Sequence, residues 1–182
     1  MSTQPIVLNY RDYAALPADG RRYEIHEGEL SVTPAPSPRH QLISGNLFYV
    51  LHGHVKAREL GVVLCAPIDV ILSDISIVQP DIVYVDQTRV GQISGRGIEG
   101  APTLVIEILS PSTVAIDRRT KHKLYARYRV PYYWIVDPEA RTIEAWTFGP
   151  DGYSLTVEGS GATPLNPPPF PDLALIPASL WL

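Results

Sequence analysis

Two carboxylates in this chain stand where apolar residues would be expected. Asp81 follows Pro80 at the head of the run Ile82-Val83-Tyr84-Val85, and Glu107 interrupts the run Thr103-Leu104-Val105-Ile106-Glu107-Ile108-Leu109. Both runs have the β-branched content and the length of buried strands. A buried carboxylate is costly unless a cation or a full set of hydrogen bonds compensates it. Two of them on neighbouring strands therefore point to a divalent metal, and residues 82–106 between them suffice for a neighbouring-strand return. A lysine completes the set. Asp117 to Tyr125 reads as a helix after the loop Ser110-Pro111-Ser112-Thr113. At about 100° per residue, Lys121, Leu124, Tyr125 and Tyr128 share one face while Lys123 points the other way. If Leu124 and Tyr128 pack on the sheet, Lys121 is carried toward it. Two carboxylates and a lysine are the parts needed to cut a phosphodiester. The metal neutralises phosphate charge and activates a water, and the lysine stabilises charge or helps deprotonate the nucleophile.

Each of these residues also has an ordinary role open to it. Asp81 can cap a turn after Pro80. Asp117 can serve the helix dipole, and Lys121 can be solvated or paired with Asp117 one turn away. Tyr125 either packs in the core or orients Lys121 and closes a cleft. Glu107 is the hardest to explain away, because it breaks the most apolar strand in the chain.

The elements that must position these groups can be followed along the sequence. Residues 1–20 form a lead-in, with a short helix expected over Tyr10 to Leu16. Arg22 to Val32 reads as a hairpin turning at His26-Glu27-Gly28, with Glu24 and His26 on one face and Tyr23 and Ile25 on the other. A Pro-rich loop, Pro34 to Pro38, precedes a helix from about Arg39 to Leu60, whose Ile43, Leu47, Val50, Leu51 and Val55 make one buried face. His40 lies in its first turn, where it can face a cleft or remain a partly exposed polar residue. Strand material follows at Val62 to Leu64, Asp69 to Leu72 and Ile77 to Val85, the last interrupted at Pro80. Residues 87–102 form a glycine-bearing connection. Past the Lys121 helix, Val130-Pro131 breaks to a strand at Tyr132 to Val136, parallel to the Glu107 strand if the intervening helix is a crossover. Tyr133 and Trp134 there read as sheet core. Thr142 to Thr147 and Tyr153 to Val157 form a trailing antiparallel pair. A Pro-rich tail, 159–182, ends in Leu180-Trp181-Leu182, an apolar end expected to dock on the core or on a second subunit. These elements make one domain over 1–182: an α/β fold with a mixed central sheet flanked by helices and with added antiparallel strands.

Pro80-Asp81 followed by Glu107-Ile108-Leu109 resembles the PD-(D/E)XK nuclease superfamily. Three further stretches narrow that resemblance to the Uma-two family of restriction-endonuclease-like proteins: Tyr23-Glu24-Ile25-His26-Glu27-Gly28-Glu29-Leu30, Glu107-Ile108-Leu109-Ser110-Pro111-Ser112 and Tyr132-Tyr133-Trp134-Ile135-Val136-Asp137-Pro138. The resemblance spans nearly the whole chain and implies an αβββαβ core. It implies catalytic roles for Asp81, Glu107 and Lys121, with the Ile108 backbone carbonyl joining the two carboxylates as metal ligands. The position where the superfamily carries its lysine is Leu109, so Lys121 on the following helix takes that part. Glu24 and Glu29 become motif positions, against the alternative of solvent-facing strand carboxylates, and His40 and Tyr125 become auxiliaries. Oxygen-only ligands suit Mg²⁺, with Mn²⁺ as a substitute. The expected partner is nucleic acid, DNA above RNA. A homodimer is expected from the habit of such nucleases of cutting two strands symmetrically. The alternative is a non-catalytic nucleic-acid-binding or protein-interaction domain that keeps the nuclease fold.

Composition narrows the class without deciding it. Hydrophobic content of 45% and charged content of 19% are those of an ordinary globular domain. The net charge of −4 gives no basic footprint for nucleic acid, although an acidic metal site contributes to it. With Cys65 alone, neither an intrachain disulfide nor a multi-cysteine metal site can form. No signal-peptide core or membrane-spanning apolar run is visible, so the cytoplasm is the expected location.

Overall fold

The computed structural model describes residues 6–181. In chain order, α1 (Tyr10–Ala14) leads to the hairpin of β1 (Arg22–His26) and β2 (Glu29–Thr33), then to α2 (Pro38–Ala57). Strands β3 (Gly61–Cys65), β4 (Val70–Ser73), β5 (Ser76–Val78) and β6 (Ile82–Asp86) follow, then a 3₁₀ turn and the short pair β7 (Ile93–Ser94) and β8 (Gly97–Glu99). After β9 (Leu104–Ile108), a π-helical turn (Ile116–Lys121) runs into α3 (His122–Arg127), and β10 (Tyr132–Asp137), β11 (Thr142–Gly149) and β12 (Gly152–Ser160) complete the sheet.

The strands form two six-stranded sheets, where the sequence suggested one with additions. The central sheet has the order β12-β11-β10-β9-β6-β3, and the second has β2-β1-β5-β4-β8-β7. Within the central sheet β9 and β10 are parallel, as the crossover through α3 requires, and the other neighbours are antiparallel. The stretch Ile77 to Val85 is divided between the sheets: β5 belongs to one and β6 to the other, with Pro80-Asp81 at the crossing. Pro80 has no N–H to give a ladder, which suits it to that gap. The 87–102 connection is likewise not an open loop, since β8 pairs in parallel with β4.

Alternation along the central strands sends side chains into two cores. Ile82, Tyr84, Ile106, Ile108, Trp134 and Val136 meet the α2 stripe of Ile43, Leu47, Leu51 and Val55 on one face. Val83, Val105, Leu109, Tyr133 and Ile135 meet Leu124 and Tyr125 of α3, and Val70, Val78 and Ile98 of the second sheet, on the other. Glu107 shares that second face by its place between Ile106 and Ile108. The C-terminal segment folds back onto the α2 side. Phe170, Leu173, Leu175 and Leu180 are buried there, Trp134 Nε1 donates to the Pro168 carbonyl at 2.8 Å, and Asn46 Nδ2 donates to the Leu180 carbonyl at 3.2 Å. The apolar end is thus packed on its own chain through Leu180 and the half-buried Trp181; Leu182 lies outside the described residues.

Local chemistry sets the boundaries. Glu27 and Gly28 both have positive φ, 54° and 87°, as the hairpin's two-residue turn demands. Ser37 caps α2, its hydroxyl accepting from the His40 N–H at 3.2 Å, and Pro38 fills a first-turn position whose N–H would lack a helical partner. The far end comes at Ala57, earlier than the expected Leu60. Glu59 turns to φ 54°, and the N–H groups of Glu59 and Leu60 close on the carbonyls of Lys56 and Val55. That paired closure is a Schellman motif with glutamate in the left-handed position. α3 ends in the same way at Arg129, with Val130 N–H on the Tyr125 carbonyl. α1 also stops earlier than expected, at Ala14 instead of Leu16, but by a different closure: the Ala15 and Leu16 N–H groups turn onto the carbonyls of Asp12 and Tyr13 with no left-handed residue. Among the described residues, no helix is long and apolar enough to cross a membrane.

Candidate active site

The antiparallel register that sets Ile82 opposite Ile106 brings Asp81 beside the Glu107-Ile108 peptide. The Ile108 N–H donates to Asp81 Oδ2 at 2.8 Å. The strand pairing thus holds the two carboxylates together before any side chain contributes. Asp81, Glu107 and Ile108 all line one cavity of about 250 Å³, roofed by the Pro34-Ala35-Pro36 loop and the Ser110-Pro111-Ser112 loop.

Around Glu107 the helix supplies its inward face. Lys121 Nζ lies 3.0 Å from Glu107 Oε1, 2.9 Å from Glu24 Oε1 and 3.7 Å from Asp117 Oδ1. The Tyr125 hydroxyl donates to Glu107 Oε1 at 2.6 Å. Lys121 and Tyr125 are buried and Lys123 is exposed, so the helical phase read from the sequence holds. The turn that carries Asp117 and Lys121 is π-helical, a distortion met often at functional sites. Glu24 is 1% exposed, not solvent-facing, and its second oxygen contacts His26 Nε2 at 3.0 Å.

Around Asp81 the other elements converge. Arg22 Nη1 at the start of β1 donates to Asp81 Oδ1 at 3.0 Å. His40 Nε2, in the first turn of α2, is 3.1 Å from both Asp81 Oδ2 and the Ile108 carbonyl. Its Nδ1 is buried with no hydrogen-bond partner.

Four carboxylates in a small buried volume divide into two protonation behaviours. Burial alone would raise the Glu24 carboxyl, but the Lys121 charge, then His26, and the Gln79 N–H at 2.7 Å reverse this and hold it far below its usual range. Asp81 behaves alike: His40, Arg22 and the Ile108 N–H outweigh burial and hold it low. Burial wins at Glu107, where Lys121 offsets only part of the cost and Asp117, Asp81 and Glu24 add repulsion. Its carboxyl is pushed well above the usual range. Asp117 is raised for the same reason. Burial would discharge Lys121, yet Glu107, Glu24 and Asp117 together keep it firmly charged.

Asp81, Glu107, Ile108, Lys121, Glu24, His40 and Tyr125 therefore meet at one place. Glu29 does not: it is exposed at the start of β2, beside a different cavity. Arg22, His26 and Asp117 belong to the cluster and were not singled out as site residues. The signal for the first two was the period-2 alternation Arg22, Glu24, His26 on one strand face; for Asp117 it was its place one turn before Lys121.

Among the described residues, no three His, Cys, Asp or Glu side chains form a ready-made metal cage. The donor set that remains is two carboxylates and the Ile108 carbonyl, all oxygen and all at one cavity. Hard oxygen donors of this kind suit Mg²⁺ or Mn²⁺, which keep several waters and need few protein ligands. The residues fit such an ion by their chemistry.

A family model described as "Uma2: Putative restriction endonuclease" matches residues 10–179. Among solved structures, the chain is similar to one described as "a putative nuclease belonging to DUF820 from Anabaena variabilis ATCC 29413". The TM-score is 0.78 at 21% identity, covering 97% of each chain, a likeness of fold. No curated protein matches.

Proposed function

The chain belongs to the Uma2 family, and on that premise we propose that it is a Mg²⁺-dependent endonuclease that hydrolyses phosphodiester bonds in nucleic acid, DNA first. One observation carries the reading: Glu24, Glu107 and Asp117 are buried around Lys121, and Asp81 is buried beside them against the Ile108 N–H, lining the same cleft as Glu107, Asp117 and Lys121. For stability alone, well-packed apolar residues would serve as well or better than such a cluster. A cation held by Asp81, Glu107 and the Ile108 carbonyl would supply charge neutralisation at the phosphate and a more acidic attacking water.

The protein's own groups then have distinct tasks. Lys121, kept charged by its carboxylates, is suited to stabilise the negative charge that builds on the phosphoryl oxygens, and not to act as a base. Glu24 and Asp117 hold its ammonium in place. The Tyr125 hydroxyl fixes the orientation of Glu107, and Arg22 with His40 fixes that of Asp81. A homodimer would bring two active sites to the two strands of a duplex in one encounter, using a surface other than the Leu180 end. The cytoplasm is the setting in which such a substrate would be met.

A second reading, a binding domain without catalysis, draws on the same site. Both Asp81 oxygens already have protein partners, and Leu109 stands in the superfamily's lysine position. The test is cleavage of a panel of single- and double-stranded DNA and RNA with Mg²⁺ or Mn²⁺. Cleavage lost in Glu107→Ala supports the enzyme; no cleavage of any substrate by the wild type hands the case to the binding domain.

A further inference from the structure

Residues 118–129 carry six of the chain's fifteen basic residues and no acidic one. In a protein of net charge −4 this is a local reversal of sign. Two of the six are consumed internally: Lys121 in the cluster above, and Arg118 by Asp137 and Glu144 at 3.2 and 2.8 Å. Arg119, Lys123 and Arg127 instead line a second cavity, about 560 Å³, between this helix and the β1–β2 hairpin. All three are exposed. Among the described residues Arg119 and Lys123 have no ion-pair partner, while Arg127 is tied to Glu27.

The two acids on the facing wall, Glu27 and Glu29, leave the three cations one charge in excess. Glu27 is occupied by Arg127, the Ser76 hydroxyl and the Tyr128 hydroxyl. Glu29 is exposed at the start of β2. The cavity also adjoins the candidate active site. On β2, Ser31 lines the one and Thr33 the other; on the helix, Thr120 lines the one and Lys121 the other. Arg119, Lys123 and Arg127 succeed one another at four-residue intervals, about 6 Å along the helix axis. That spacing lets successive cations meet successive phosphates of one DNA strand, which rise about 3.4 Å each along the duplex axis.

We propose that this hairpin–helix seam is a backbone-binding track: it holds the sugar-phosphate chain of DNA flanking the scissile bond, with Arg119 and Lys123 each neutralising a phosphate. The assignment rests on the nuclease reading for its position relative to the cut, but its binding chemistry can be measured separately. Such contacts position a strand and read no sequence.

The experiment is fluorescence anisotropy with labelled single- and double-stranded DNA, and RNA of the same sequence, in EDTA so that no cleavage occurs. The double variant Arg119→Ala/Lys123→Ala should bind DNA about ten-fold more weakly near 0.1 M salt, and its plot of log K against log salt should be shallower by about two. Lys123→Glu should lose more than Lys123→Ala, which a mere packing role would not produce. A control pair at the far end of α2, Lys56→Ala/Arg58→Ala, should match the wild type. Equal losses in the seam and control pairs overturn the track, as does an unchanged salt slope in the seam variant or wild-type binding to RNA alone. Cleavage by the wild type combined with an unchanged slope sinks the track and leaves the nuclease standing. No cleavage, with the loss confined to the seam pair, keeps the track and sinks the nuclease.

Discussion

Lys121 Nζ lies 2.9 Å from Glu24 Oε1, an ion pair that ties the first hairpin to the crossover helix beneath the cleft. Both partners are nearly inaccessible to solvent, so each depends on the other for the charge it carries. Removing one partner of a buried pair typically costs about 3–5 kcal/mol, because the other is left buried and uncompensated. Glu24→Ala and Lys121→Ala should each lower stability to this extent in urea unfolding. The double variant should fall short of the sum, with a coupling of about 1–3 kcal/mol. Strict additivity would mean that the pair contributes nothing beyond its neighbours.

Metal binding should follow the two strand carboxylates. Calorimetric titration with Mn²⁺ should show binding to the wild type that Asp81→Ala and Glu107→Ala each abolish. Glu29→Ala should bind as the wild type does, because Glu29 lies outside the cleft. Retention of binding in both carboxylate variants removes the assignment.

The raised Glu107 carboxyl makes a prediction about pH whose sign is opposite to that of most carboxylates. Its folded-state value lies above the unfolded one, near 4.3, so from that pH upward the folded state holds a proton the unfolded state has released. Stability therefore falls as pH rises through this window. Glu107→Gln removes the titration and keeps an oxygen for Lys121 and Tyr125. In metal-free buffer the variant should melt higher than the wild type at pH 8, and the gap should close near pH 4. Glu24 acts the other way. Its depressed value contributes stability that is present above about pH 4.5 and lost on acidification. A Glu107→Gln variant less stable than the wild type at pH 8 would refute the protonation pattern.

What the sequence disclosed here, and what it withheld, divides along physical lines. Asp81 and Glu107 could be found because each is a charged group beside or inside an apolar run, and burying charge is costly enough to demand a reason. The inward phase of Lys121 followed from helical period alone and survived the π-helical turn, because Leu124 and Tyr125 anchor the face next to it. The second sheet was not legible. Whether β5 pairs with β4 or continues into β6 depends on long-range partners, and both alternatives offer the same apolar string. Arg22 and His26 escaped notice because a polar group at the edge of a hairpin usually faces water; here Asp81 takes up Arg22 and Glu24 takes up His26. The short end of α2 was missed because a left-handed residue at a helix terminus, Glu59, carries no signature when it is not glycine.

The contrast between Lys121 and Lys123 tests the catalytic reading most sharply, because two lysines two residues apart are assigned to different work. Lys121 contacts Glu107, a group placed at the scissile phosphate, whereas Lys123 is exposed and lines the neighbouring cavity. Lys121→Ala should cut Mg²⁺-dependent cleavage by about 10²-fold or more, the usual scale for removing a group that stabilises transition-state charge. Because that variant also loses stability, Lys121→Met, which fills the space without the charge, should show the same loss of cleavage while remaining folded by circular dichroism. Both should still bind Mn²⁺, since neither removes an oxygen ligand. Lys123→Ala should retain the wild-type turnover at saturating DNA and show only a raised KM that depends on salt, as expected for one lost phosphate contact. Cleavage assays under single-turnover and saturating conditions separate the two effects. A larger loss of turnover at Lys123 than at Lys121 would place the chemistry on the wrong face of the helix.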